Sequence, residues 1–245
     1  MVAWFSQKYR RWLPVLLLGV LAVMLLAFPP RWGFRLAGGL APGAIYFADT
    51  DEKVVALTID DGPSPETTGQ VLDVLAQFGG RATFFLLTDN IPGQEAIVRR
   101  LVAEGHELGN HLTADEASIR LADDEFEQKL KQADGILSRY AEQNENRPIR
   151  WLRPGVGWYT QPMVQTANAA DYRLALGSVF PYDTHLPFVG FTRWFVLANV
   201  KPGDIIVLHD GPKRGQRTAA ALAHILPQLQ AKGYEVVTLS DLFNR

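Results

Sequence analysis

The chain has 245 residues, 24 Lys plus Arg against 26 Asp plus Glu, and no cysteine. This length and a 47% apolar share exclude a wholly disordered chain. The lack of cysteine excludes a disulfide scaffold, a thiol nucleophile and any Cys-ligated metal site. The near-neutral charge is split unevenly. Residues 1–40 carry Lys8, Arg10, Arg11, Arg31 and Arg35 and no acid, which leaves the rest of the chain at −7. An acidic body is a poor match for phosphate backbones, so no nucleic-acid partner is expected.

Residues 12–28 form an uncharged run of seventeen, closed by Pro29-Pro30. Counted between Trp12 and Trp32, a straight helix would span roughly 30 Å, about one bilayer core. An uncleaved transmembrane signal anchor with a short cytoplasmic stub is therefore expected over residues 1–35. Lys8, Arg10 and Arg11 place its N-terminus inside, although Arg31 and Arg35 oppose that bias. This makes the protein single-pass, with its C-terminal body outside the cytoplasm; secretion after signal cleavage is the alternative. The Gly- and Ala-rich residues 36–50 read as a linker, and residues 51–245 as one domain.

From Val54 onward, short apolar runs alternate with amphipathic ones. Strands are expected at 54–59, 82–87, 107–109, 149–152, 173–176, 204–208 and 235–239. Helices are expected after Ser64-Pro65 and at 91–104, 123–140, 161–170 and 216–232. Repeated βα units imply an α/β fold with a parallel sheet or barrel and helices outside. Asp60-Asp61, His111, Arg153 and His209 each follow a predicted strand. In such barrels the C-terminal strand ends form one face, so these residues are expected to converge.

Two aspartates after an apolar strand are costly to bury unless they bind a metal or move a proton. An Asp-Gly-Pro turn accounts for Asp61 but not for Asp60. Asp115 lies four residues after His111, on the same face if a helical turn begins there. One imidazole and two carboxylates suit a divalent cation. His224 reads as packing or surface, His106 as structural, and His185 is unassigned.

Four ordered segments resemble the polysaccharide deacetylase (NodB-homology) family of carbohydrate esterases. They are Thr58-Ile59-Asp60-Asp61-Gly62-Pro63, Gly105-His106-Glu107-Leu108-Gly109-Asn110-His111, Arg153-Pro154-Gly155-Val156-Gly157-Trp158 and Ile206-Val207-Leu208-His209-Asp210. The resemblance implies a distorted (β/α) barrel and one divalent metal, most often zinc, with manganese or cobalt as alternatives. It implies removal of acetyl groups from N- or O-acetylated sugars, with N-acetyl the leading choice here. Carried over by position, Asp61 and His111 match metal ligands, Asp60 the base, Arg153 the arginine that orients it, and His209 the general acid.

The chain departs from the family where a second metal-binding histidine is usual. Asp115 stands there, with Glu116 as rival ligand. No aspartate–tryptophan motif is evident, and Asp183 is the candidate to tune His209. Trp158 and Tyr159 are candidate sugar-stacking residues, and the Val156 N–H is a candidate oxyanion donor. Arg214 and Arg217 are candidates to contact anionic substituents, or belong to a solvated basic loop. Two other readings compete: an amidohydrolase of a small non-sugar amide, and a non-catalytic glycan-binding module. Nothing in the sequence sets the oligomeric state.

Overall fold

The computed structural model describes residues 12–141 and 148–245. Lys8, Arg10 and Arg11 lie outside them. Helix α1 (Leu13–Ala27) is apolar on every side, and Val15, Leu18, Leu21, Val23 and Leu26 are all exposed. Helix α2 (Arg31–Leu40) leaves it at 87°. The expected straight span from Trp12 to Trp32 is thereby corrected. Pro29 and Pro30 offer no N–H to continue α1, and Pro30 is extended (φ −79°, ψ 142°). Among the described residues no single helix is long and apolar enough to cross a membrane; the bent pair meets the length and composition only together.

Residues 36–50 are not a free linker. They hold the end of α2 and strand β1 (Ala44–Ile45), which pairs in parallel with β6 (Arg173–Ala175). The Arg31 guanidinium docks α2 on the body. Its Nη2 lies 2.9 Å from Oδ1 of buried Asp204, and its Cζ sits 4.6 Å from the Phe47 ring centroid. Asn199 Nδ2 also donates to the Ala27 carbonyl at 2.9 Å.

The remaining strands are β2 (Val54–Gly62), β3 (Thr83–Leu86), β4 (Glu107–Asn110), β5 (Trp151–Leu152), β7 (Ile205–His209) and β8 (Glu235–Val237). All pairings are parallel, in the order β1-β6-β5-β4-β3-β2-β7, with β8 also on β2. Bridges Phe47–Asp204 and Val179–Ile206 draw the two edges together, so the sheet curls into the distorted barrel expected from the βα pattern. Every residue of β2 is buried, as a central strand covered on both faces requires.

Helices cover the outside where their apolar stripes dictate. Helix α3 (Thr68–Phe78) buries Val71, Leu72 and Leu75 and stops at left-handed Gly79. It begins four residues after Ser64, whose N–H instead donates to Thr68 Oγ1 at 2.7 Å. Helices α4 (Glu95–Ala103), α5 (Asp123–Ala141) and α6 (Gln161–Ala169) follow the expected periodicity. Helix α7 (Val189–Asn199) was not expected: no side chain caps it, and its aromatic residues give no clean polar face. Helix α8 (Arg214–Ala231) packs on α3 and α7, and α9 (Leu239–Phe243) replaces the end of the expected last strand.

Candidate active site

The strand ends bring Asp60, Asp61, His111, Arg153 and His209 together. Asp60 and His209 are register partners on β2 and β7, and His209 Nε2 lies 3.9 Å from Asp60 Oδ2. Alternation along a strand would send Asp60 and Asp61 to opposite faces. The β2–β3 register shifts between Asp60 and Gly62, and Asp61 adopts φ 71°. This irregularity turns Asp61 back toward β4, where its Oδ1 lies 3.4 Å from His111 Nε2.

Arg153 organises the base. Its Nη1 donates to Asp60 Oδ1 at 2.6 Å and to Thr58 Oγ1 at 2.7 Å, and its Nε donates to the Ala175 carbonyl at 2.7 Å. The guanidinium lies 4.2 Å from the Phe85 ring centroid. Glycine at 109 makes room for that ring, because a Cβ there would come within 2.6 Å of it. Both Asp60 and Arg153 are buried, so their charges are mutually compensated away from water. Arg153 Nη2 is buried with no hydrogen-bond partner in the described chain, leaving an open donor beside the base.

His209 is held by Asp183, whose Oδ1 lies 3.0 Å from His209 Nδ1. Burial alone would lower the His209 pKa, but the Asp183 hydrogen bond and charge, with Asp60 and Asp61, raise it above the ordinary imidazole value. His111 follows the same logic. Burial opposes its charge, yet bonding to Asp61 and the nearby carboxylates raises its pKa. Burial likewise works to raise the Asp61 pKa, but His111, then the charges of His209 and Arg214, hold it below the usual carboxylate range.

The metal ligand set assembles only in part. His111 Nδ1 is 2.6 Å from the Arg153 carbonyl, which can only accept, so Nδ1 carries hydrogen and Nε2 faces Asp61. Asp61 and His111 therefore fit a divalent cation by donor chemistry. Asp115 does not join them. After His111 the chain passes through Leu112 at φ 65° and then bends, so the spacing of four is not helical. The Asp115 side chain is 62% exposed, and among the described residues no group of three His, Cys, Asp or Glu is arranged to hold a metal. Glu116 is paired with Lys129 instead.

Arg214 stands where the third ligand was expected. Its Nη1 donates to Asp61 Oδ2 at 2.6 Å and its Nη2 lies 3.8 Å from Asp115 Oδ2. Tyr159 is turned away from the sugar-stacking role, since its hydroxyl donates to the Ala41 carbonyl. Trp158 and Val156 are exposed on the turn after Arg153, with Val156 at φ 64°. His106 is structural: its Nδ1 accepts the Ala82 N–H at 3.2 Å.

Asp210 is a buried carboxylate whose role the sequence concealed. It accepts from Thr67 Oγ1 at 2.5 Å, from Thr68 Oγ1, and from the Gly211 N–H at 2.7 Å. It thus ties the start of α3 to the loop after His209. Its position directly beside His209 was the available signal.

The family model described as Polysaccharide deacetylase matches residues 47–175. The chain belongs to the polysaccharide deacetylase family. A peptidoglycan-N-acetylglucosamine deacetylase of Bacillus cereus is 37% identical over 194 residues, covering 78% of this chain and 89% of the relative. A chitooligosaccharide deacetylase of a Bradyrhizobium species is 34% identical over 199 residues, covering 77% of this chain and 90% of the relative. A crystallised peptidoglycan N-acetylglucosamine deacetylase superposes with TM-score 0.76 at 31% identity, covering 82% of this chain and 93% of that one. A pseudoenzyme from Bacillus anthracis in carbohydrate esterase family 4 superposes with TM-score 0.72 at 25% identity, covering 82% and 69%. This chain is a hydrolase of the polysaccharide deacetylase type, and deacetylases of this family are generally metal-dependent.

Proposed function

We propose that this deacetylase removes N-acetyl groups from an N-acetylglucosamine polymer outside the cytoplasm, using one divalent metal ion. The observation that carries this reading is the buried Arg153–Asp60 pair set beside the Asp183–His209 pair. Neither glycan binding nor folding needs a charged carboxylate and a protonatable imidazole 3.9 Å apart. Held by Arg153, Asp60 takes a proton from the attacking water. His209, whose pKa the Asp183 contact raises, gives a proton to the departing amine.

Asp61 and His111 would hold the metal, with zinc the leading choice and manganese or cobalt the alternatives. Bound there, the ion would supply Lewis-acid polarisation of the acetyl carbonyl and a more acidic water. Val156 N–H is the proposed backbone donor to the oxyanion, and exposed Trp158 the proposed sugar platform. The named substrates of the relatives, peptidoglycan N-acetylglucosamine and chitooligosaccharide, support this polymer class.

The bent helix pair supports a membrane location. Trp32, Leu36 and Leu40 are exposed at spacings of four on α2, so one apolar stripe suits the membrane surface while α1 enters it.

The test is acetate release from N-acetylglucosamine oligomers and peptidoglycan by the full chain in detergent or nanodiscs. Chelator should abolish release, zinc should restore it, and Asp60→Asn should be inactive though folded. Sugar binding without release would establish the binding module. Release from small amides alone would establish the small-amide reading. Cell fractionation and protease accessibility check the location.

A further inference from the structure

Arg214 occupies a position that neither the fold nor the proposed chemistry requires. Its guanidinium bridges Asp61 and Asp115, the two carboxylates expected as metal ligands. From these contacts we infer that Arg214 is a displaceable cationic latch, neutralising the ligand Asp61 in the metal-free protein and competing with the divalent ion for it. This inference rests on the metal-dependent reading above.

Three features of the chain support it. The first is placement. The Gly211 N–H is fixed on Asp210, and Gly215 packs so tightly that a Cβ would lie 2.1 Å from Asp210 Oδ1 and 2.3 Å from Thr67 Oγ1. Arg214 is therefore delivered to Asp61 by a buried scaffold and not by a wandering loop.

The second is local electrostatics. Arg214 is the first residue of α8, where the helix dipole disfavours a cation, and no acid lies in that first turn. What compensates its charge is the carboxylate pair across the site.

The third is freedom to leave. Its side chain is 35% exposed, whereas Asp61 is only 9% exposed. The arginine can withdraw to water while the carboxylate stays. A divalent ion brings two charges and would take Asp61 and His111 together, whereas the guanidinium brings one charge and meets only the carboxylates.

The latch predicts weakened metal affinity. Removing a charge-assisted competitor should tighten divalent binding by about 10- to 100-fold. The experiment titrates cobalt(II) and zinc(II) into apo full-length protein, reading cobalt absorbance and calorimetric heat independently of turnover. Arg214→Ala should bind more tightly than wild type, Arg214→Lys should fall between, and Arg217→Ala should match wild type. Thermal melts of the apo variants establish that each is folded. Unchanged or weaker binding in a folded Arg214→Ala, with wild type still binding, overturns the latch and leaves the metal reading intact. No binding by wild type or any variant overturns both.

Discussion

Asp183 grips His209 at two points: its Oδ2 accepts the His209 backbone N–H at 2.9 Å while its Oδ1 meets Nδ1 at 3.0 Å. The bidentate hold fixes both the ring and the strand end that carries it. Because the carboxylate raises the His209 pKa, the protonated acid persists to higher pH than for a free imidazole. Asp183→Asn should lower kcat by about 10²- to 10⁴-fold and move the alkaline limb of the rate profile to lower pH. A pH series of acetate release on both proteins checks the direction.

Arg153 neutralises a buried carboxylate, so its loss should be felt in stability as well as rate. Arg153→Met should cost about 3–5 kcal/mol, because Asp60 is left charged and unpartnered. Urea unfolding of Arg153→Met, and of the double variant with Asp60→Leu, measures this. The double variant should recover most of the loss while remaining inactive.

His106 makes the fold sensitive to acid. Burial, then Arg81 and Arg100, push its pKa down to about 4. Between that value and the ordinary 6.5, the unfolded chain binds a proton that the native state refuses. The His106 contribution to stability is therefore full well above pH 6.5 and is lost on acidification, by about 2 kcal/mol between roughly pH 7.5 and pH 5. Replacing the ring by His106→Gln should flatten this part of the stability curve, as urea midpoints across the range would show.

Gly215 admits no side chain. Gly215→Ala should force Asp210 and Thr67 apart and destabilise by about 1–3 kcal/mol. The expected signature is a lower melting temperature, with the exposed Gly190→Ala as the comparison, since nothing lies within 4 Å of a Cβ there.

What could be read from the sequence followed from local periodicity. Asp60, His111, Arg153 and His209 were legible because each closes or directly follows a short strand in a repeated βα pattern, and parallel strands collect such ends on one face. Their mutual contacts come from register, as with Asp60 opposite His209. Asp115 was misread because a spacing of four has meaning only in a helix, and the chain bends after Leu112. Arg214 could not be placed on Asp61 from sequence, since 153 residues separate them and the contact depends on Gly215 packing under Asp210. The same holds for Tyr159, whose partner is a backbone carbonyl at Ala41 and so carries no residue-type signal. Residues 36–50 looked like a linker because glycine and alanine hide a two-residue edge strand.

That edge strand has a mechanical consequence. Three residues separate α2 from β1, and two residues beyond β1 Phe47 bridges Asp204, the partner of Arg31. Three residues extend at most about 10 Å, so almost no slack lies between the helix pair and the barrel seam. Any pull on the N-terminal helices is borne as shear across the β1–β6 pairing and the Arg31–Asp204 contact. The catalytic face cannot swing freely on a tether; it turns with the helices that carry it.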